Sequence, residues 1–271
     1  MKCIFLYDGG YLMKVSDKVI VVTGAGGGIG RELVRQLLEK GAKVAAIIHK
    51  NGLDKMKAFK EEYGNRISIH TANIANKEDV QRLPDEVIAS HCCVDGIINN
   101  AGIIQPFISV NELEYEQIQW VMDVNFYGTL YMCKSFLPHL LIRPEAHIAN
   151  VASMGGSLPI PQQTIYCASK AAVKMLTESL HSELRKTNVG VTLVIPGAVE
   201  TDLVEKAKVE KEGAESSTYK LLSPIVAASI IIEGIETKKY RVLAGNDSKI
   251  MDILYRLNPK KATELIAKKI L

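Results

Sequence analysis

The chain has 271 residues, 47% of them hydrophobic and 23% charged, which is ordinary for a globular protein with room for a sizeable core. Its 33 basic and 30 acidic side chains leave a formal charge of +3, so no broad basic surface points to nucleic acid. The five cysteines show neither CxxC spacing nor a Cys/His cluster, and the six histidines form no HExxH. Neither a disulfide framework nor a metal site is therefore expected, and a reduced, cytoplasmic compartment is.

The opening stretch Cys3 to Tyr7 is broken at once by Asp8-Gly9-Gly10 and has no small-residue cleavage site, so it makes a poor signal peptide. Met13 precedes the first clear strand by a few residues. Residues 1–12 thus read as a dispensable extension and 13–271 as one catalytic domain. No apolar run reaches the ~18 residues of a membrane span.

Lys18 to Thr23 is a short β-branched apolar run, the pattern of a buried strand. A glycine-dense turn follows, then a helix over 31–40 with Leu33, Leu37 and Leu38 on one side and Gly41 as its C-cap. Further strands are expected at 43–48, 66–71, 94–99, 146–152 and 189–195, with helices at 53–63, 77–90, 112–142 and 163–187. Such alternation predicts an α/β fold: a single doubly wound Rossmann-type domain, its parallel sheet of about seven strands covered by helices on both faces.

Beyond Pro196-Gly197 the pattern loosens. The charged stretch 200–220 is either a solvated helix face or a mobile lid over a substrate. A helix at 222–236, a strand at 240–244 and helical tails at 247–257 and 259–270 complete the chain. The last helix carries Lys260, Lys261, Lys268 and Lys269 beside Leu265, Ile266 and Ile270. It reads as a surface helix packed on its own domain or on a sister subunit, with membrane-surface contact the lesser alternative.

Three groups of residues carry chemistry. Thr23-Gly24-Ala25-Gly26-Gly27-Gly28-Ile29-Gly30 fits T-G-x-x-x-G-x-G between a strand and a helix, where a dinucleotide pyrophosphate meets helix N–H groups. Gly24, Gly26, Gly27, Gly28, Ile29 and Gly30 are the candidate phosphate contacts; the competing reading is a glycine-rich turn without ligand. Asn99, Asn100, Ala101 and Gly102 close the fourth strand at the edge where such sheets bind ligands, or form a plain turn.

Tyr166 and Lys170, at i and i+4, share one face of a helix. A phenol normally titrates near ~10. A neighbouring ammonium would favour its charged form and make it a proton donor and acceptor nearer neutral pH. Ser153, just past the fifth strand, either reaches a bound carbonyl or caps a turn. Asn125, mid-helix, is either turned inward to a partner or a surface amide.

In order and spacing, these motifs resemble the short-chain dehydrogenase/reductase family from about Lys18 to Ala244. They are the glycine turn, Asn99-Asn100-Ala101-Gly102, Asn125 in Val124-Asn125-Phe126-Tyr127-Gly128, Ser153, Tyr166/Lys170, and Pro196-Gly197-Ala198-Val199-Glu200-Thr201. The resemblance implies reversible hydride transfer between a nicotinamide coenzyme and a carbonyl or secondary alcohol. Tyr166 would be the general acid/base, Ser153 the carbonyl's hydrogen-bond partner, and Lys170 the holder of the ribose hydroxyls. Asn125 would position a water. It further implies coenzyme contacts at Asn73, Ile74, Asn100, Ala101, Gly102, Pro196, Gly197, Val199 and Thr201.

For the coenzyme, the second strand ends Ile48-His49-Lys50-Asn51 with no carboxylate to meet a ribose 2′-hydroxyl. His49 and Lys50 would instead attract a 2′-phosphate, favouring NADP, while the side-chain-free Gly26 and Gly27 leave NAD as the alternative. The apolar stretches 103–107 and 154–161 suggest a partly hydrophobic ketone or alcohol as substrate. Cys167 reads as a small packed residue rather than a redox switch. The long helices at 112–142 and 163–187 resemble those that build homodimers and homotetramers in this family. The competing function is a catalytically silent coenzyme sensor or scaffold on the same fold.

Overall fold

A computed structural model of the chain describes residues 13–200 and 221–270. The expected extension at 1–12, position 201 and the candidate lid lie outside the described residues, apart from Glu200 at the lid's root.

Seven parallel strands run in the order β3-β2-β1-β4-β5-β6-β7. They are β1 (Val19–Thr23), β2 (Lys43–Ile48), β3 (Ile67–Thr71), β4 (Gly96–Asn99), β5 (Ala146–Val151), β6 (Val189–Pro196) and β7 (Arg241–Ala244). Strand side chains alternate between faces, and here both faces are apolar. Ile20, Val22, Val44, Ala46 and Ile48 enter one core cluster; Val19, Val21, Ala45 and Ile47 enter the other. On the first face pack α1 (Gly28–Glu39), α2 (Leu53–Tyr63) and α7 (Pro224–Glu236), through Leu33, Leu37, Met56 and Ile231. On the second lie α3 (Lys77–His91), α5 (Gly128–Leu141) and α6 (Thr164–Leu184), through Leu83, Phe136 and Leu184. Met13, fully buried, donates its backbone N–H to the Glu236 carbonyl at 2.9 Å and ties the start of the described chain to α7.

After the edge strand β3 the chain crosses to the far side of β1, so β1 pairs with both β2 and β4. The sheet splits its connections there, opening a crevice at the carboxyl ends of β1 and β4.

Most expected elements shift by one to three residues at an end, and two of the differences bear on the site. The helix expected at 31–40 begins at Gly28, so Gly28, Ile29 and Gly30 form its first turn. The continuous helix expected over 112–142 is three pieces: α4 (Tyr115–Met122), a π-helical turn (Asp123–Tyr127) and α5. Glu114 starts α4 late, its backbone N–H donating to Gln117 Oε1 at 3.1 Å. The bulge centres on Asn125, whose carbonyl accepts from the Thr129 hydroxyl at 2.8 Å and whose side chain is drawn into the body. Two amphipathic helices, α8 (Asn246–Leu257) and α9 (Pro259–Ile270), follow β7. No described helix is long and apolar enough to cross a membrane.

Candidate active site

The glycine turn is locked to the end of β4. Gly24 has φ +64°, and a Cβ there would stand 2.9 Å from Ala101 Cα. A Cβ on Gly30 would strike the Gly24 carbonyl. The Thr23 hydroxyl accepts from the backbone N–H groups of Asn100 and Ala101, at 3.0 and 3.1 Å. Asn100 Nδ2 donates to the Thr23 and Gly24 carbonyls, at 3.1 and 3.4 Å. Asn100 and Ala101 therefore brace the turn. Thr23 does as much bracing, and its place in the motif is the signal that could have assigned it. Asn99 points elsewhere: it is buried, and its Nδ2 donates to Asn150 Oδ1 at 2.8 Å in a structural pair between β4 and β5.

Gly27 is the N-cap of α1 and supplies no side-chain cap, so the first-turn N–H groups of this 12-residue helix have no side-chain acceptor from it. A Cβ on Gly26 would lie 3.6 Å from Gly52 Cα, which puts the turn beginning at His49 and Lys50 beside the glycine turn. Both of those side chains are exposed. The charge of Lys50 also reaches Asp79, whose carboxyl is held below the usual carboxylate range chiefly by the Asn73 backbone N–H and then by Arg82. Asn73 Oδ1 accepts from the Ala75 N–H at 3.1 Å, closing a local turn. Ile74 is nearly buried and packs on Gly128, so its side chain serves the core.

Ser153, Tyr166 and Lys170 come together because only glycine separates two backbones. Ser153 leads a single helical turn, Met154–Gly156, and its Oγ accepts from the Gly155 N–H at 3.0 Å; the turn-capping reading is observed. A Cβ on Gly155 would stand 3.3 Å from Tyr166 Cε1, and one on Gly156 would stand 2.6 Å from the Lys170 carbonyl. This glycine pair lets the serine turn press onto α6 at Tyr166 and Lys170. Tyr166 is half-buried. Burial pushes its phenol up to about 12, and hydrogen bonding with Ser153 opposes the rise.

The expected acidification of this phenol by Lys170 is not what the geometry gives. Lys170, 4% exposed, donates from Nζ to the Val151 carbonyl at 3.0 Å, and burial lowers its ammonium to about 8. Sharing a helix face puts the two residues side by side, but burial dominates both groups and drives each toward neutrality.

Asn125 is fully buried, which settles its orientation as inward. Its Oδ1 accepts from the Ile103 N–H at 2.8 Å, and its Nδ2 donates to the Ile103 carbonyl at 2.9 Å and to Ser169 Oγ at 2.9 Å. Ser169 Oγ in turn donates to the Tyr166 carbonyl at 2.7 Å. A Cβ on Gly102 would meet Lys170 Nζ at 3.0 Å and Asn125 Oδ1 at 3.2 Å, so this residue must be small. Cys167 Sγ accepts from the Ile160 N–H at 3.4 Å, and burial raises its thiol, in keeping with a packed residue.

After β6, Gly197 lies against the Asp247 carboxylate, leaving no room for a side chain, and Asp247 Oδ2 accepts from the Ala198 N–H at 2.7 Å. Asp247 had no local signature; it arrives from the first turn of α8. Val199 forms a parallel bridge with Leu222, flanked by Glu200 N–H to Leu222 carbonyl at 3.0 Å and Leu222 N–H to Ala198 carbonyl at 2.8 Å. The apolar stretches expected to face a substrate are mixed: Leu158 is buried and Ile103 packs on the core, whereas Phe107 and Ile160 keep exposed surface.

The model of the short chain dehydrogenase family matches residues 18–212. A Mycobacterium tuberculosis protein designated SadH is 34% identical over 261 residues, covering 92% of this chain and 94% of that protein. Among solved structures, a Burkholderia phymatum short chain dehydrogenase/reductase in complex with NAD superposes with a TM-score of 0.81 at 25% identity, over 92% of this chain and 96% of that one. A Burkholderia cenocepacia short chain dehydrogenase in complex with NADP gives 0.78 at 26%, over 94% and 99%.

Proposed function

Because the chain belongs to the short-chain dehydrogenase family and is an NAD(P)-dependent oxidoreductase acting on CH–OH groups, we propose that it interconverts a carbonyl and a secondary alcohol with NADP(H). Tyr166 is then the general acid/base. The observation that carries this reading is the packing of the Ser153 turn onto Tyr166 and Lys170 through Gly155 and Gly156. It joins a hydroxyl, a phenol and a buried ammonium beside the crevice that the sheet opens.

The residues fit a dinucleotide. The uncapped start of α1 would hold the pyrophosphate, and Lys170, whose buried ammonium meets a backbone carbonyl, would hold the nicotinamide ribose hydroxyls. Lys50 would meet a 2′-phosphate. The bound coenzyme supplies or accepts the hydride. The protein's own part is positioning and proton transfer. In reduction, Ser153 Oγ donates a hydrogen bond to the substrate oxygen, and Tyr166 Oη gives up its proton as negative charge develops there. A phenol pushed up to about 12 is protonated at neutral pH, the state this donor needs. Phe107 and Ile160 suit a partly apolar substrate.

The exposed Tyr115 and Trp120 of α4 and Met175 of α6 support pairing through these helices into a homodimer or homotetramer. Light scattering tests that; a 29.8 kDa species alone would overturn it. For the activity, a panel of ketones, aldehydes and secondary alcohols is followed by nicotinamide absorbance with both coenzymes. Turnover with NADPH and an apolar carbonyl is expected. Tight coenzyme binding without turnover of any compound would assign the silent sensor instead.

A further inference from the structure

The first turn of any α-helix leaves backbone N–H groups without intrahelical partners, and the N-cap side chain ordinarily takes those of N2 and N3. In α6 the N-cap is Gln163, which makes no such bond, and N3 is Tyr166. The missing acceptor comes from the loop after β4. Gln105 Oε1 accepts from the N–H of Ile165 at 2.8 Å and of Tyr166 at 3.1 Å, while Gln105 Nε2 donates to the Gln162 carbonyl at 3.0 Å. Gln163 returns the grip, its Nε2 donating to the Gln105 carbonyl at 3.0 Å. Gln105 and Gln163 are each 2% exposed, so the exchange is made away from water, where losing a partner is most costly. Gln162 is held at φ +62°, an unfavourable setting for a residue with a side chain, with its carbonyl on Gln105.

We propose that Gln105 is a positioning residue for Tyr166, capping the catalytic helix from a separate loop. The same loop controls the other end of that residue, because Ile103 is gripped by Asn125, and Asn125 is joined through Ser169 to the Tyr166 carbonyl. Tyr166 is thus fixed by both its N–H and its C=O to the segment 103–105, which lines the substrate side. The proposal rests on Tyr166 being the acid/base; the clasp itself does not.

The test compares Gln105→Met, similar in length without the amide's acceptor or donor, with Gln105→Glu. The Glu variant is assayed at a pH where its buried carboxyl is protonated, so that it keeps an acceptor for the two N–H groups and an O–H donor for the Gln162 carbonyl. Gln105→Met is expected to lower kcat by about 10- to 100-fold, the scale of a misplaced catalytic group, with KM and coenzyme Kd within about threefold of the parent. Gln105→Glu is expected to restore most of kcat. A Met variant with kcat within about threefold of the parent, or a Glu variant as impaired as the Met variant, overturns the proposal. Gln105→Asn, whose amide is one methylene too short, takes the place of the Met variant if that one does not fold, with the same outcomes. Tyr166→Phe, assayed in parallel, separates the two ideas: normal turnover there rejects the function of Tyr166. Amide hydrogen exchange at 165 and 166 still decides the clasp, being at least about tenfold faster in the Met variant if it exists and unchanged if it does not.

Discussion

The ammonium of Lys170 donates to the carbonyl of Val151 across 3.0 Å, joining the middle of α6 to the end of β5. No described carboxylate is bonded to it. Burial alone lowers this ammonium from 10.5 to about 8.

The stability of the coenzyme-free protein should therefore respond to pH through this lysine. Below about pH 8 it is charged in both folded and unfolded chains, and its burial costs the fold about 3 kcal/mol. Between about 8 and 10.5 the folded form sheds its proton first, so this contribution to stability rises with pH. Lys170→Met should be more stable than the parent at pH 7, with the difference disappearing as pH approaches 10.5. Denaturant midpoints measured across that window check the sign; a constant offset between the two proteins would contradict it.

Tyr166→Phe removes the only atom of that residue able to carry the proton while keeping the ring against Gly155. Turnover should fall by about 10²- to 10⁴-fold. Coenzyme affinity, read by fluorescence titration, should stay within about twofold, since Phe keeps the ring's packing. Near-normal kcat in this variant would reject the assignment.

Gly30→Ala sets a methyl group on the Gly24 carbonyl, and backbone cannot yield as a side-chain tip can. Overpacking of this kind costs about 1–3 kcal/mol, and the distortion falls on the glycine turn proposed to hold the pyrophosphate. Coenzyme binding should weaken more than tenfold on that account (~1.4 kcal/mol). Gly64→Ala is the control: nothing lies within 4 Å of the added Cβ, but φ +55° with ψ −124° is a setting that favours glycine, so about 1–3 kcal/mol of stability should be lost with coenzyme binding intact.

Lys50→Glu replaces attraction for a 2′-phosphate with repulsion. NADP should bind at least about tenfold more weakly while NAD changes by less than about threefold. Parallel titrations decide this, and a protein that prefers NAD before the change would overturn the NADP reading at once.

Much of this was legible because the information is local. β2, from Lys43 to Ile48, and α2, from Leu53 to Tyr63, fall where apolar runs and helical spacing put them. The glycine turn, Ser153 and the Tyr166/Lys170 pair were readable because each motif lies at a strand end or within one helical turn. Long-range pairing was not readable. Gln105 reaches 60 residues to Ile165, and Asp247 reaches 49 back to Ala198, with nothing in either neighbourhood to announce it. The π-turn at Asn125 was hidden because apolar spacing runs on through 112–142, and its cause is a partner at Ile103. The sign of the Tyr166 shift is not legible for a related reason: spacing along a helix gives proximity, but not the depth of burial that governs charge.

The bridge between Val199 and Leu222 fastens positions 200 and 222 to each other just past β6. The two described flanks therefore meet at one point. Chain-closure entropy grows only logarithmically, about 0.6 kcal/mol for each doubling of length. Insertions, deletions or wholesale exchange of the chain between 200 and 222 should therefore leave β6 and α7 undisturbed. The fastening gives β6 and α7 a common anchor that does not depend on the length of chain between them.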